Sequence, residues 1–161
     1  MSIVNVDSNI RYVTYREIDE KFDKELIDID LKSKYMNKPN RGFWGSPVDA
    51  EFGWKEWCEN EDYGCYDFDN PIYWRLKEGK IFQVDWDDLE SEEFNQYVTR
   101  TSYRTPLLDF ESMREDGIIA VQLMNACIGH SFTDFGDIEL MFNSWDCESI
   151  VVLDKDYILF E

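Results

Sequence analysis

The segment "ESIVVLD" (148–154) contains the apolar run 150–153, with an acid on each side of it. Val and Ile favour strands, and a short continuous apolar run is typical of a strand in the core. The segments "GIIAVQLM" (117–124) and "DIELMF" (137–142) have the same character. Together these runs predict a sheet that is formed largely by the second half of the chain.

The first half of the chain predicts mainly helices. From Glu17 to about Met36, apolar residues recur at intervals of three and four, the spacing of one helix face. The segment "SPVDAEFGWKEWC" (46–58) predicts a helix with Ser46 as its N-cap and Pro47 at its first position. Further strands are predicted in "NIRYVTYR" (9–16) and "NPIYWRLKEGKIFQVD" (70–85, two strands with a turn at 78–80), and further helices in "DDLESEEFNQYV" (87–98) and "DFESMRED" (109–116).

We therefore predict an α+β fold. It is a single compact domain over 1–161, with helices mainly in the first half packed on a mixed or antiparallel sheet formed largely by the second half. The length of 161 residues, with 43% hydrophobic and 16% aromatic residues, suits one packed core.

The charge and the N-terminus restrict the partners. The formal net charge of −19 disfavours binding to nucleic acid or to anionic membranes. No apolar run approaches the roughly 20 residues of a membrane span, so no membrane partner is expected. The first residues lack a secretory signal, and a cytoplasmic location is expected. The acidity favours either plain solubility or mimicry of nucleic-acid charge toward a basic protein partner.

Metal and histidine chemistry receive little support from the sequence. Cys127 and His130 form one close pair, but no second close pair completes a zinc site, so no metal is expected. His130 is the only histidine, and no G-x-S-x-G motif accompanies it. The chain also lacks G-x-G-x-x-G and Walker A phosphate loops.

The segment "KPNRGFWGSP" (38–47) concentrates groups that bind ligands. Lys38 and Arg41 supply charge, Phe43 and Trp44 supply rings, and Ser46 supplies a hydroxyl at a predicted helix start. This combination predicts a site for an aromatic ligand that carries phosphate. The structural alternative is a helix N-cap preceded by a hydrophobic contact.

Three short motifs follow one another along the chain. Arg11 lies on the first predicted strand, a Gly-Ser turn contains Ser46, and Asp146-Cys147-Glu148 precedes the strand "SIVVL". This arrangement resembles the ADP-ribosyltransferase fold in its arginine-serine-glutamate branch, whose third motif is Gln/Glu-x-Glu followed by a strand of Val, Ile and Leu. The segment 116–159 is also similar to the ending of small phage and bacterial members. Two departures are Gly-Ser-Pro in place of Ser-Thr-Ser, and Asp146 in place of Gln or Glu.

The resemblance implies an NAD-dependent mono-ADP-ribosyltransferase that uses NAD as a substrate, needs no metal and modifies a protein acceptor. Glu148 would be the catalytic carboxylate, and Asp146 would orient the acceptor. Arg11 would contact the phosphates or ribose of NAD, and Ser46 would order the cleft beside the nicotinamide. Trp44 or Phe43 would stack on the nicotinamide ring.

Two other functions remain open. The chain can be a non-enzymatic acidic inhibitor that occupies a basic partner, or a degenerate form of the transferase fold that binds nucleotides or proteins. Asp146 and Glu148 can also be a plain charged boundary before a core strand, since carboxylates prefer the surface.

Overall fold

The strand predicted in "ESIVVLD" lies inside an eight-stranded sheet. The computed structural model describes residues 2–32, 37–85, 91–101, 104–124, 142 and 145–161. The strands in these residues are β1 (Ile3–Asn5), β2 (Tyr12–Thr14), β3 (Phe43–Pro47), β4 (Ile72–Leu76), β5 (Lys80–Val84), β6 (Val98–Thr101), β7 (Arg104–Leu108), β8 (Ile118–Leu123), β9 (Ser149–Val152) and β10 (Ile158–Phe160). The α-helices are α1 (Trp54–Asn60), α2 (Glu92–Asn95) and α3 (Phe110–Glu115).

The sheet is mixed, one of the two arrangements that the sequence predicts, but the described strands do not come largely from the second half of the chain, since β1, β2, β3 and β4 all lie in the first half. Its strands follow the order β1-β5-β8-β9-β3-β2-β4-β10, and β6 and β7 form a separate pair. The β5 and β8 strands run parallel, while the other neighbours in the large sheet are antiparallel. The β3 strand therefore lies directly between β2 and β9, two strands that are far apart in sequence.

Both faces of the central strands are buried, which explains why their sequences are continuously apolar. All six residues of β8 are buried, and so are the last three of β9. One face packs against α2 and α3 through Val121, Leu123, Val151, Phe94, Phe110 and Met113. The other face holds Tyr12, Phe43, Trp74, Ile150 and Val152.

The predicted placement of the helices in the first half is not confirmed. Of the helices described, only α1 lies in the first half, while α2 and α3 lie in the second. The stripe from Glu17 to Met36 yields only a short 3-10 turn at Lys24–Leu26, and 33–36 lie outside the described residues. Isolated bridges between Glu17 and Tyr66 and between Asp30 and Arg41 hold this segment extended instead. Ile18 and Leu26 of the supposed apolar face are exposed.

The helix predicted over 46–58 begins later than expected. Residues 43–47 pair with β2 and β9, so the start of the predicted helix belongs to the sheet. The helix begins at Trp54, where the Gly53 N–H donates to Glu56 Oε2 over 3.1 Å. Because a strand position was available to Ser46, tertiary pairing overrode its local capping pattern.

The remaining predicted elements match in part. Both strands predicted in 70–85 form, but they separate: β4 pairs with β2 and β10, whereas β5 pairs with β1 and β8. The strand predicted at 137–142 falls almost wholly outside the described residues. Among the residues that the structure describes, no helix has the length and apolar character needed to cross a membrane.

Candidate functional site

A cavity of about 420 Å³ opens against β3 and the segment that leads into β9. Its aromatic walls come from five distant positions, namely Tyr15, Trp44, Trp54, Tyr66 and Trp145. Its polar side chains are Thr14, Lys38, Ser46, Asp146, Cys147 and Ser149. Such a cavity, mostly apolar with a few polar groups, is typical of a site for a small molecule. We call it the β3 pocket.

The rings of the β3 pocket support one another by edge contacts. Trp44 and Trp145 meet at a centroid distance of 4.8 Å and an angle of 74°, while Trp54 and Tyr66 meet at 5.3 Å and 86°. On its other side Trp54 stacks on Trp57 at 4.8 Å. Edge-to-face pairs of this kind add stability beyond burial, so the walls are preorganised.

Asn37 fixes the region between Lys38 and Trp145. Its backbone oxygen accepts a hydrogen bond from Trp145 Nε1 over 3.0 Å, and its side-chain oxygen accepts one from the Leu108 N–H over 2.7 Å. Asn37 has a φ of 51°, in the left-handed region that Asn tolerates better than most residues. The buried Asn37 therefore holds the neighbouring Lys38 against the pocket.

Lys38 and Asp146 bring opposite charges to the β3 pocket. Lys38 Nζ lies 5.6 Å from the centroid of the Trp44 ring. Burial lowers the pKa of Lys38, and the nearby Asp146 carboxylate opposes that shift. Asp146 is exposed as a residue, yet partial burial of its carboxylate raises its pKa, against the effect of Lys38. Neither side chain makes a hydrogen bond or a direct ion pair with a described residue, so both can meet a ligand.

Ser46 has a structural role in the same place. It is 2% exposed, and its Oγ accepts a hydrogen bond from the Trp54 N–H over 3.2 Å. Ser46 thus caps the first turn of α1 from the neighbouring strand, a version of the capping that the sequence suggests. Burial raises the pKa of the Cys147 thiol to about 12, although a hydrogen bond from Ser46 opposes the rise. Cys147 is therefore an inert buried thiol.

Glu148 lies between two residues of the β3 pocket, but its side chain is directed to the opposite face of the sheet. Side chains alternate along a strand, so Glu148 shares a face with Ile150, which pairs with Gln122 of β8. Gln122 Nε2 donates to Glu148 Oε1 over 3.3 Å. Burial raises the pKa of Glu148, the Gln122 hydrogen bond lowers it, and the charges of Asp49 and Glu51 raise it further.

The two predicted arginines lie outside the lining of the pocket. Arg11 Nε pairs with Glu161 over 2.9 Å and its guanidinium lies 4.2 Å from the Tyr73 ring centroid. Arg41 Nε pairs with Asp28 over 2.8 Å. Each arginine is therefore already neutralised by a carboxylate of the chain itself.

The structure thus brings together five of the residues predicted from sequence, namely Lys38, Phe43, Trp44, Ser46 and Asp146. The ring of Phe43 packs on Trp74 at 5.3 Å in the core, so it is unavailable for stacking. Arg11, Arg41 and Glu148 do not line the pocket. Three further lining residues, Trp54, Tyr66 and Trp145, carry no signal in the sequence beyond their aromatic type, because their convergence depends on the tertiary fold.

Within the described part of the chain, no group of three or more His, Cys, Asp or Glu side chains is arranged to hold a metal ion. Cys127 and His130, the pair considered in the sequence, lie outside that part. Comparisons with protein family models, curated proteins and solved structures found no match.

Proposed function

We propose that this protein is an NAD-dependent mono-ADP-ribosyltransferase that modifies a protein acceptor. The observation that carries the proposal is the adjacency of β2, β3 and β9. Arg11 precedes β2, Ser46 lies on β3 and Glu148 precedes β9, so three segments separated by about 35 and 100 residues lie on adjacent strands, although the side chains of Arg11 and Glu148 do not line the β3 pocket.

The β3 pocket supports binding of the nicotinamide end of NAD. Trp44 and Trp145 offer ring surfaces to a planar heterocycle. Lys38 can donate to the carbonyl oxygen of the nicotinamide carboxamide, and Asp146 can accept from its amide N–H groups. A neutral group with both a donor and an acceptor satisfies these opposite charges better than a simple cation or anion.

The backbone at Glu148 borders this pocket, since its chain neighbours Cys147 and Ser149 line it, but its carboxylate lies on the opposite face of the sheet, beside Gln122. The proposal therefore requires the ribose of bound NAD to extend past this border to reach the carboxylate. In the proposed reaction the bond between the nicotinamide nitrogen and the ribose carbon breaks, and nicotinamide leaves with the electron pair. A carboxylate stabilises the positive charge that develops on the ribose. The acceptor nucleophile then bonds to the ribose carbon and loses its proton. The carboxylate must be ionised, which the hydrogen bond from Gln122 favours.

The proposal is tested by chromatographic measurement of nicotinamide release from NAD, with labelled NAD and a bacterial lysate to detect transfer to protein. We expect Glu148→Gln to reduce release by a factor on the order of 100 or more, because an electrostatic contact of the transition state is lost. The exposed Glu20 provides the matched control, and Glu20→Gln should retain full activity.

Calorimetric titration with NAD distinguishes the alternatives. Absence of NAD binding by the wild-type protein would overturn the proposal. Binding without release of nicotinamide or transfer of label would instead support a nucleotide-binding module on a degenerate transferase fold.

A second candidate, an acidic inhibitor of a basic protein, is favoured by the net charge of −19 and by a run of exposed acids at Glu17, Asp19, Glu20, Asp23 and Glu25. In that case binding to the basic partner weakens steeply as the salt concentration rises. Binding to the basic partner should be unchanged by Glu148→Gln, whereas transferase activity should be lost in that variant.

A further inference from the structure

Gln122 is a polar residue in a strand whose other residues are all apolar. The sequence of β8 is "IIAVQL", and every residue in it is buried. Gln122 is 5% exposed and is the single polar residue of the strand. Burying an amide is costly unless its hydrogen bonds are made, so a glutamine at the centre of a sheet calls for a reason in the structure.

The reason is a chain of hydrogen bonds across three adjacent strands. Gln83 Nε2 of β5 donates to Gln122 Oε1 over 3.4 Å, and Gln122 Nε2 donates to Glu148 Oε1 over 3.3 Å. The amide of Gln122 is therefore oriented from one side by Gln83 and presents its N–H to Glu148 on the other. With the reverse orientation its oxygen would face the carboxylate and both contacts would be lost.

The surroundings of Glu148 make this donor important. The charges of Asp49 and Glu51 disfavour ionisation of Glu148, and burial acts in the same direction. Tyr12, whose own pKa is raised to about 12 mainly by burial and also by the charges of Asp7, Asp49 and Glu148, is neutral near pH 7. Gln122 is the one group of the described residues whose hydrogen bond favours the charged form of Glu148.

We infer that Gln122 is a positioning residue, which holds the Glu148 carboxylate in its orientation and keeps it ionised, with Gln83 fixing the orientation of the Gln122 amide. The inference rests on the proposed function, in which Glu148 acts as an anion. It explains the polar residue in β8 through the reaction and not through packing.

The first test uses Gln122→Met, which keeps the length of the side chain and removes the donor. We expect kcat for nicotinamide release to fall by roughly 10- to 100-fold with little change in KM, since the carboxylate acts in the chemical step and not in binding. The acidic limb of the pH–rate profile should move to higher pH, because an unassisted carboxylate holds its proton more tightly. Gln83→Met should move kcat and the limb in the same direction, but less.

The second test needs no NAD. The side-chain carboxyl carbons of glutamate are labelled with ¹³C, the Glu148 signal is assigned by its loss in Glu148→Gln, and its titration is followed by NMR. The apparent pKa of Glu148 should rise in Gln122→Met. If that variant does not fold, Gln122→Glu serves instead, and repulsion between two adjacent carboxylates should raise the apparent pKa of the pair.

The outcomes separate the two proposals. An unchanged Glu148 titration and an unmoved acidic limb in an active enzyme would overturn the role of Gln122 and leave the transferase intact. A raised pKa in a protein that never cleaves NAD would retain the hydrogen bond and overturn the transferase. A loss of thermal stability in Gln122→Met with no change in either pH dependence would show that Gln122 acts only in packing.

Discussion

Thr14 connects the core to the β3 pocket through two hydrogen bonds. Its Oγ1 donates to the Trp44 carbonyl over 2.6 Å and accepts from Trp74 Nε1 over 2.9 Å. Trp74 is fully buried, so its indole N–H depends on this partner. Thr14→Val preserves the shape of the side chain and removes both bonds.

The expected cost is about 2 kcal/mol in the free energy of unfolding, since an unsatisfied buried donor costs roughly 1–3 kcal/mol. For a chain of this length, about 2 kcal/mol corresponds to a decrease in Tm of roughly 4–8 °C. Thr14→Ser is the matched control. It keeps the hydroxyl and loses one methyl group of a half-buried residue, so its cost should remain under about 1 kcal/mol.

Urea denaturation monitored by tryptophan fluorescence measures both free energies, and a double-mutant cycle isolates the bond to the indole. In a Trp74→Phe background no indole donor remains, and Thr14→Val should cost much less than in the wild type. If Thr14→Val costs under about 0.5 kcal/mol, or if Thr14→Ser costs more than Thr14→Val, the hydroxyl is not the link that the geometry indicates.

Four further predictions concern the sheet, the surface and the thiols. Gly45→Ala should destabilise the protein by roughly 1–3 kcal/mol in denaturant titrations, because the added Cβ would lie 2.7 Å from Trp74 Cζ2 and 2.9 Å from the Val13 oxygen. Gly64→Ala is the control, since its Cβ would meet no atom within 4 Å, and it should not destabilise the protein. Arg11→Met should change stability by less than about 1 kcal/mol, since both partners of the Arg11–Glu161 pair are solvent-exposed by more than a third, and a larger loss would show that the pair is structural. In the native protein iodoacetamide should modify the exposed Cys65 and spare the buried Cys58 and Cys147, because burial raises the pKa values of these two thiols to about 11 and about 12. Mass spectrometry of the labelled peptides measures which cysteines are modified, and labelling of Cys58 or Cys147 would contradict the prediction. Burial raises the pKa of Glu148 in the folded protein, so the free energy of unfolding of the wild type decreases as the pH rises above the ordinary value of 4.5. Glu148→Gln lacks this titration, and its free energy of unfolding relative to the wild type should therefore increase between about pH 4 and pH 7. A difference that does not change with pH would contradict the raised pKa.

The predictions from sequence succeeded where a local pattern and the tertiary environment agree. Residues 150–152 lie in β9, and the whole run 150–153 is buried. Within the segment 109–116, α3 forms at Phe110–Glu115, and Asp109 caps it through a hydrogen bond from the Ser112 N–H. The predictions failed over residues 17–32, where Phe22 and Ile27 pack against the core without forming one face of a helix, while Ile18 and Leu26 are exposed. There the backbone made bridges to Tyr66 and Arg41 instead.

Some residues of the candidate site could be predicted from local sequence, and others could not. Phe43, Trp44 and Ser46 could be predicted because they are close together in sequence, in a segment dense in ligand-binding groups. Trp54, Tyr66 and Trp145 could not, since each joins the pocket through contacts across the fold. The direction of Glu148 depends on strand register, because a shift of one residue would turn its carboxylate to the other face.

The central apolar strands, the acidic charge and the segment that forms one wall of the β3 pocket could all be predicted before the fold was known, because they follow from residue type and local spacing. Only the tertiary structure decided that β2, β3 and β9 are neighbours, that Arg11 and Arg41 are neutralised by carboxylates of the same chain, and that Gln122 reaches Glu148. Those outcomes depend on which distant strands pair and in which register, and the pairing is selected by burial of the whole sheet and not by any local stretch.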